Sequence, residues 1–307
     1  MLKYLRYYCL SLFYPNLKDF TGMGLGIEAR LERCGKYWNK HLKFSKEFQI
    51  DSLGQVENLN TLAIFGAGRL YDIPLKELLN RFNKICLYDA DPGVKLFWKK
   101  RISNFSDRDK VGFNIIDLTF SMNSWTENLK KFVKENKHES NLQKIKKLVC
   151  FLNDLRCNPI TLQRHIEVVF SINILSQIPI YWKERIYDIL KKNWHMLVNE
   201  YGRYEIELEC AIDECLKKLH QQHLNLITSL NPALIVILYD RHFYYYQNTL
   251  SEWQVESALY GDEPKFEEYS EVLKDSWLWH IAPQEIENKE YGEIHEVVAK
   301  SFKKITC

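Results

Sequence analysis

The sequence predicts a doubly wound α/β fold: a seven-stranded Rossmann-like sheet preceded by an N-terminal helical cap. Three observations predict it. Short apolar runs at residues 62–65, 85–88, 111–116, 166–170 and 233–239 have the length of buried strands and alternate with stretches of helical periodicity. The first run is bounded by Gly66 and Gly68 and leads into a helix, a second strand and an acid, Asp89. Two segments near the end, 276–281 and 294–302, read as a closing strand pair, the first with Trp277, Trp279 and Ile281 on one face.

Length and charge bound what the fold can serve. At 307 residues the chain fits one large α/β domain with additions, divided as a cap at 1–60 and an α/β domain at 61–307. Forty-two basic against 40 acidic residues leave a net charge of +2, too weak a field to argue for nucleic acid. Eight scattered cysteines and the lack of a signal-peptide pattern predict a reduced, cytoplasmic chain. No apolar run reaches the length of a membrane span.

Taken in order, the first 60 residues read as helices. Leu2, Leu5, Cys9, Leu12 and Phe13 share one face before Pro15, and a second helix is expected from about Ile27 to Phe44, after the glycine-rich stretch at 22–26. Lys3 and Arg6 beside that first apolar face fit a membrane-surface helix as well as a packed cap. Beyond the glycine turn, Leu75, Leu78, Leu79 and Phe82 recur at helical spacing, with Asp72 as the expected N-cap and Pro74 in the first turn. Asp91-Pro92-Gly93 is a turn, followed by a helix through Phe97 and Trp98 and then by the third strand, which ends on Asp117.

Ser124 and Glu127 form an expected capping box, and a second helix is expected at 141–156 before Pro159. The lysines of this region are interrupted by Glu127, Glu135 and Glu139, the pattern of a solvated helix face. The fourth strand runs into the polar segment Ser171-Ile172-Asn173-Ile174-Leu175-Ser176-Gln177, which should face the ligand end of the sheet. Helices are expected at 182–199 and 204–229, broken at Gly202. Cys210, Cys215, His220 and His223 do not make a metal site there, because on a helix the two cysteines point about 140° apart. Asp240, Arg241 and His242 stand at the expected end of the fifth strand, followed by a long loop opening with the aromatic run 243–246.

Glycines without a Cβ let backbone N–H groups approach a ligand, and an acid at the tip of the next strand can accept both hydroxyl protons of a ribose. The ligand class is therefore nucleoside-like. Counting from Gly66, Tyr71 occupies the place of the third glycine of a dinucleotide fingerprint, and no Gly-Lys-Ser/Thr follows for a phosphate loop. A nicotinamide-dependent oxidoreductase is disfavoured on that ground.

The runs FGAGRLYDIPL, YDADP and FSINILSQIP, in this order, resemble a poorly characterised bacterial branch of the class I S-adenosylmethionine-dependent methyltransferases, over roughly residues 61–300. The resemblance implies S-adenosyl-L-methionine as cofactor. It implies that Phe65, Gly66, Ala67, Gly68, Asp72, Asp89, Ala90, Asp117, Leu118, Ser171, Asn173 and Gln177 lie around it. It also implies a last strand inserted antiparallel beside the fifth, and an N-terminal addition that helps close the site. Ser171 and Asn173 depart from the acid or Asn-Pro-Pro-Tyr-like run many relatives carry after the fourth strand, which argues against methylation of DNA bases.

Methyl transfer from a sulfonium is an in-line displacement, so alignment and exclusion of water matter more than a triad. Of the groups at strand ends, Asp240 and His242 are the candidate bases and Asn173 and Gln177 the candidate orienting residues, with a small molecule as the expected acceptor. The alternative is a protein that binds the cofactor without turnover and acts by interaction.

Overall fold

The computed structural model describes residues 12–14, 17, 20–21, 23–57, 59–158, 162, 165–194, 203–248 and 253–305. Leu2, Leu5, Cys9, Pro15, Pro159 and Gly202 lie outside the described residues, while Leu12 and Phe13 of the expected apolar face are both exposed. Seven strands form a continuous sheet in the order β3 (Val111–Ile115), β2 (Lys84–Asp89), β1 (Thr61–Phe65), β4 (Val168–Ile172), β5 (Leu234–Tyr246), β8 (Gly292–Lys304) and β7 (Tyr269–Ala282). The first five are parallel, and β8 is inserted antiparallel between β5 and β7, as the resemblance implies. An eighth strand, β6 (Gln254–Ser257), pairs with β5 off this path.

β1 and β4 are buried on both faces along their whole length, which is why they read as unbroken apolar runs. One face is covered by α1 (Met23–Ser52), α2 (Leu75–Arg81) and α3 (Val94–Ile102), whose Trp38, Leu78 and Trp98 meet Leu62, Ile64, Leu87 and Val236. The other face carries the C-terminal half of α7 (Arg203–Ser229), with Leu224 and Ile227 against Ala63, Val169 and Ile235. Outside it α4 (Met122–Glu135), α5 (Asn141–Asp154) and α6 (Ile174–Trp194) build a separate helical core around Trp125, Leu152 and Trp182.

At 30 residues α1 exceeds its expected span, and it lies on the hairpin-edge strand β7. Trp38 meets Trp279 edge-on at 5.1 Å and donates its Nε1–H to Ile281 O at 2.9 Å. His41 stacks on Trp279 at 4.0 Å and its Nδ1 accepts from Trp277 Nε1 at 3.1 Å. Burial holds this imidazole down at about 3, so it is neutral and keeps the lone pair that bond needs.

Several boundaries differ from the sequence reading, each for a local reason. Pro74, not Asp72, precedes α2, because the Asp72 carboxylate is engaged by Asn173. Helix α4 starts one turn before the expected cap: Thr119 Oγ1 accepts from the Ser121 and Met122 N–H groups, while Ser124 Oγ donates back to Ser121 O and accepts from Asn158 Nδ2 rather than capping a helix N–H. The capping box belongs instead to Ser140 and Gln143 at the start of α5. Helix α6 begins at Ile174 rather than Trp182, with Pro179 inside it; the proline removes one backbone bond, while Leu175, Ile178 and Trp182 stay buried.

The largest difference is at β5. It does not end at Tyr239 but continues through Tyr246, so the expected aromatic loop is strand, flanked by an equally long β8. Past Leu238, its last residue in register with β4, β5 runs on for about 25 Å at about 3.3 Å per residue. β6 lies on the same edge of β5 as β4, beyond the carboxyl end of β4, because β8 occupies the opposite edge at both places. Among the described residues no helix is long and apolar enough to cross a membrane.

Candidate functional site

The carboxyl ends of β1, β2 and β4 meet at the glycine turn. Gly66 and Gly68 have φ of +70° and +48°, and a Cβ on Gly66 would lie 2.7 Å from Ile172 O, so the first glycine is required both by conformation and by space. Trp98 Nε1 donates to Gly68 O at 2.9 Å and fixes the turn from the α3 side. Asp89, at the tip of β2, accepts from Gly68 N at 2.8 Å and from Asp91 N at 2.9 Å. Burial raises its carboxyl to about 6, partly offset by these two N–H donors. Phe65 and Ala67 are buried beneath the turn, and Ala90 is half-buried beside it.

Sequence reasoning missed the neighbour on top. Gly24 N at the start of α1 donates to Asp91 Oδ2 at 3.0 Å, while Arg69 pairs with Glu28 at 3.3 Å and lies 3.5 Å over the Phe97 ring. The first turn of α1 is thereby fastened to the residues flanking Asp89. Only a lone arginine after the second glycine hints at this in the sequence.

Asn173, directly after β4, brings a second set of predicted residues to the same end. Its N–H donates to Leu238 O at 2.8 Å, and its Nδ2 donates to Asp72 Oδ2 at 3.0 Å, at a φ of +54° rare for a side chain other than glycine. Asn173 is 8% exposed, and its Oδ1 has no hydrogen-bond partner among the described residues. Burial raises the Asp72 carboxyl, with the Asn173 donor acting in the opposite sense.

Other predicted residues have partners or surroundings of their own. Asp117 is buried and spends its carboxylate on Thr119, at 2.9 Å to N and 2.7 Å to Oγ1, ordering the loop that begins α4. Leu118 is part of the core. Ser171 does not face the ligand end: it lies within β4, fully buried, with Oγ 2.8 Å from His223 Nε2. Burial lowers that histidine to about 3, so the pair is a neutral hydrogen bond under the sheet. Gln177 is exposed on α6.

The candidate bases fall on opposite faces, because a β-bulge separates Asp240 from His242. Asp240 is 2% exposed and lies on the α1 side, 3.3 Å from His295 Nδ1, with Ser176 Oγ donating to its other oxygen at 3.3 Å. His295 also contacts Glu293 at 2.9 Å; burial opposes its charge, yet Asp240 and Glu293 prevail and raise it to about 9. Asp240 is thus committed to a buried ion pair. His242 lies on the α7 side, with Nδ1 2.7 Å from Glu296 Oε2. Glu296 also receives Arg241 and, at 3.1 Å, the Tyr244 hydroxyl; against the effect of burial, these partners hold it at about 2. Glu296 escaped the sequence reading because it sits in an apolar strand.

On α7, Cys215 is buried and donates to Leu152 O, Cys210 is exposed, and His220 meets Asp262 O. Among the described residues no three metal-ligating side chains converge.

No protein-family model and no curated protein matches the chain. Among solved structures it is similar to an S-adenosylmethionine-dependent methyltransferase from Clostridium acetobutylicum, at 7% identity over 88% of this chain and 92% of that one, with a TM-score of 0.35. It is also similar to the glycopeptide N-methyltransferase MtfA, solved with S-adenosyl-L-methionine, at 8% identity over 85% and 87% of the two chains and a TM-score of 0.32. Likenesses this distant carry no function across, which leaves the chain's own geometry as the ground for one.

Proposed function

We propose that this chain is an S-adenosylmethionine-dependent methyltransferase acting on a small-molecule acceptor. The observation that carries the reading is Asp89: a half-buried carboxylate at the tip of β2, bonded to the N–H of a left-handed glycine, in a sheet whose last strand is inserted antiparallel. A carboxylate so placed accepts ribose hydroxyls, and the turn from Gly66 to Gly68 offers backbone to a nucleoside with no phosphate to seat. The orphaned Asn173 Oδ1 fits a ligand that brings a hydrogen-bond donor between β1 and β4.

In this reading Phe65, Gly66, Ala67, Gly68, Asp89 and Ala90 hold the nucleoside, and Asp72 and Asn173 hold the amino-acid part. The bound group supplies an electrophilic methyl on a sulfonium. The chain's contribution is alignment and exclusion of water, with α1 fastened over the turn by Gly24 and Arg69. Asp117 and Ser171 act by supporting loops and core rather than by contact. Asp240 keeps the β5–β8 register through His295.

Isothermal titration with S-adenosylhomocysteine tests the donor half: saturable heat is expected from the native chain and its loss from Asp89→Ala. Absence of heat from the native chain refutes the reading. The inward commitment of Asp117 and Ser171 favours, as the second reading, binding without turnover; transfer of labelled methyl to any small acceptor excludes it.

A further inference from the structure

Resting on the methyltransferase reading, we propose that α1 completes the donor site, with Gln49 as a specificity-determining ligand of the cofactor's α-ammonium group and Lys46 as the partner of its α-carboxylate. Two hydrogen bonds bring Gln49 to the predicted residues. Its Nε2 donates to Asp72 O at 2.8 Å, and Asn173 Nδ2 donates to Asp72 Oδ2 at 3.0 Å, so α1 and the residue after β4 hold the same aspartate. Asn173 in turn abuts the glycine turn: Ile172 O and Ile174 Cβ, on either side of it, lie 2.7 and 3.0 Å from the position a Cβ on Gly66 would take. The first turn of α1 meets Asp91 beside Asp89, and Gln49, near its other end, meets Asp72. One helix thus reaches both the ribose end of the site and the Asp72 end.

The cluster is a set of acceptors. Both hydrogens of Gln49 Nε2 are spent on carbonyls, Asp72 O and, at 2.9 Å, Ser45 O, which fixes the amide orientation and leaves Oε1 as an acceptor. Asn173 Oδ1 is oriented in the same way by the carboxylate that its Nδ2 meets. Gln49 is fully buried and Asn173 nearly so, yet neither oxygen has a hydrogen-bond partner among the described residues. Buried acceptors left without donors are costly, and the half-buried Asp72 carboxylate in the same cluster favours a positive charge. A primary ammonium offers three donors, no acceptor and that charge. The methyl donor of the proposed reaction carries one on its α-carbon.

Lys46 supplies the opposite charge. It is half-buried, three residues before Gln49 on the same face of α1. Its ammonium opposes the rise that burial imposes on the Asp72 carboxyl, so its field reaches the cluster, and among the described residues it makes no hydrogen bond or ion pair. Arg101 acts on Asp72 in the same sense but is turned onto the Tyr71 ring, 5.7 Å from its centroid. The α-carboxylate, on the same carbon as the ammonium, is the anion that Lys46 fits. The site therefore reads the amino-acid part of the donor and discriminates against thioadenosines that lack it.

Titration calorimetry of the full chain tests this with S-adenosylhomocysteine, its analogue with the amine replaced by hydrogen, and its analogue with the carboxylate replaced by hydrogen. The native chain should bind the deaminated analogue about 10-fold or more weakly than S-adenosylhomocysteine, and the decarboxylated one about threefold or more weakly. Gln49→Met keeps the length of the side chain and removes the acceptor. It should weaken S-adenosylhomocysteine about 10-fold and leave the deaminated analogue within about twofold of its native affinity. Lys46→Met should erase the difference between S-adenosylhomocysteine and the decarboxylated analogue. Equal native affinity for S-adenosylhomocysteine and the deaminated analogue overturns the proposal. So does a Gln49→Met chain that weakens both alike, the mark of a merely structural glutamine, or a carboxylate preference that survives Lys46→Met. Should circular dichroism show Gln49→Met unfolded, the native ligand series and Lys46→Met decide the matter. A native chain that binds none of the three ligands refutes the methyltransferase reading itself, whereas one that binds all three equally refutes only the roles given to α1.

Discussion

Lowering the pH should weaken S-adenosylhomocysteine binding, with Asp89 at the ribose as the main titrating group. The carboxyl is raised to about 6 by burial, and ribose hydroxyls need its ionised form as acceptor. If only the ionised form binds, the apparent Kd scales with one plus the ratio of protonated to ionised carboxyl. At pH 8 that factor is about 1, at pH 6 about 2 and at pH 5 about 11, a loss of about 1.4 kcal/mol. Titration calorimetry at these three values, with buffers of different ionisation heat, measures both the affinity and the proton released on binding. Asp89→Asn should bind about 10-fold or more weakly at pH 8, the worth of a charged hydrogen bond, and should lose most of the pH dependence, the remainder belonging to Asp72, whose carboxyl burial also raises. Affinity that is flat, or that rises toward pH 5, refutes the assignment of Asp89 to the ribose. Folding depends on the same carboxyl: raised in the folded state, it favours the fold most below its ordinary value, and that contribution is lost as pH rises through 6.

The remaining predictions concern the frame. His295 is raised to about 9, so its contribution to stability is present below the ordinary histidine value and lost as pH rises through 9; melting temperatures from pH 6.5 to 10 should fall in the native chain. His295→Gln leaves the buried Asp240 without its cation, Glu293 keeping Arg30 at 4.0 Å, and should cost about 3–5 kcal/mol in denaturant titrations at pH 7. Ser140→Ala should cost about 1 kcal/mol, as loss of a cap does, and Ser124→Ala less than about 0.5 kcal/mol, measured by urea unfolding; the reverse order would restore the cap to Ser124. Gly66→Ala places a Cβ 2.7 Å from Ile172 O at a φ of +70°, and calorimetry should show at least a tenfold loss of S-adenosylhomocysteine affinity.

What the sequence carried was whatever depends on neighbours in the chain. The apolar runs of β1, β2 and β4 are continuous because both faces are covered, and Gly66 is a glycine because nothing else fits its turn, so both could be read without a fold. The same holds for Asp89 at the strand tip. What stayed hidden depends on partners far along the chain. Thr119 caps α4 only because Asp117 turns its side chain back on it, whereas the Ser124–Glu127 pattern has the right letters in the wrong turn. Ser171 looked like a ligand-end residue because its partner, His223, is 52 positions away. The clamp of Gly24 on Asp91 spans 67 positions, and Arg69 is its one local trace.

The run from Asp240 to Tyr246 shows the same point where it bears on function. Polar residues after an apolar strand read as its end, yet each here is answered from β8, Asp240 by His295 and Arg241 and His242 by Glu296. The two carboxylates do opposite things because of burial. Asp240, with 2% exposure, would be destabilising without His295, and its pairing fixes the long β5–β8 ladder in one register. Glu296 is met by three groups, Arg241, His242 and Tyr244, and stays a charged acceptor on the opposite face of the strand. A bulge of one residue between Asp240 and His242 is what sends one acid–histidine pair into the core and presents the other to solvent.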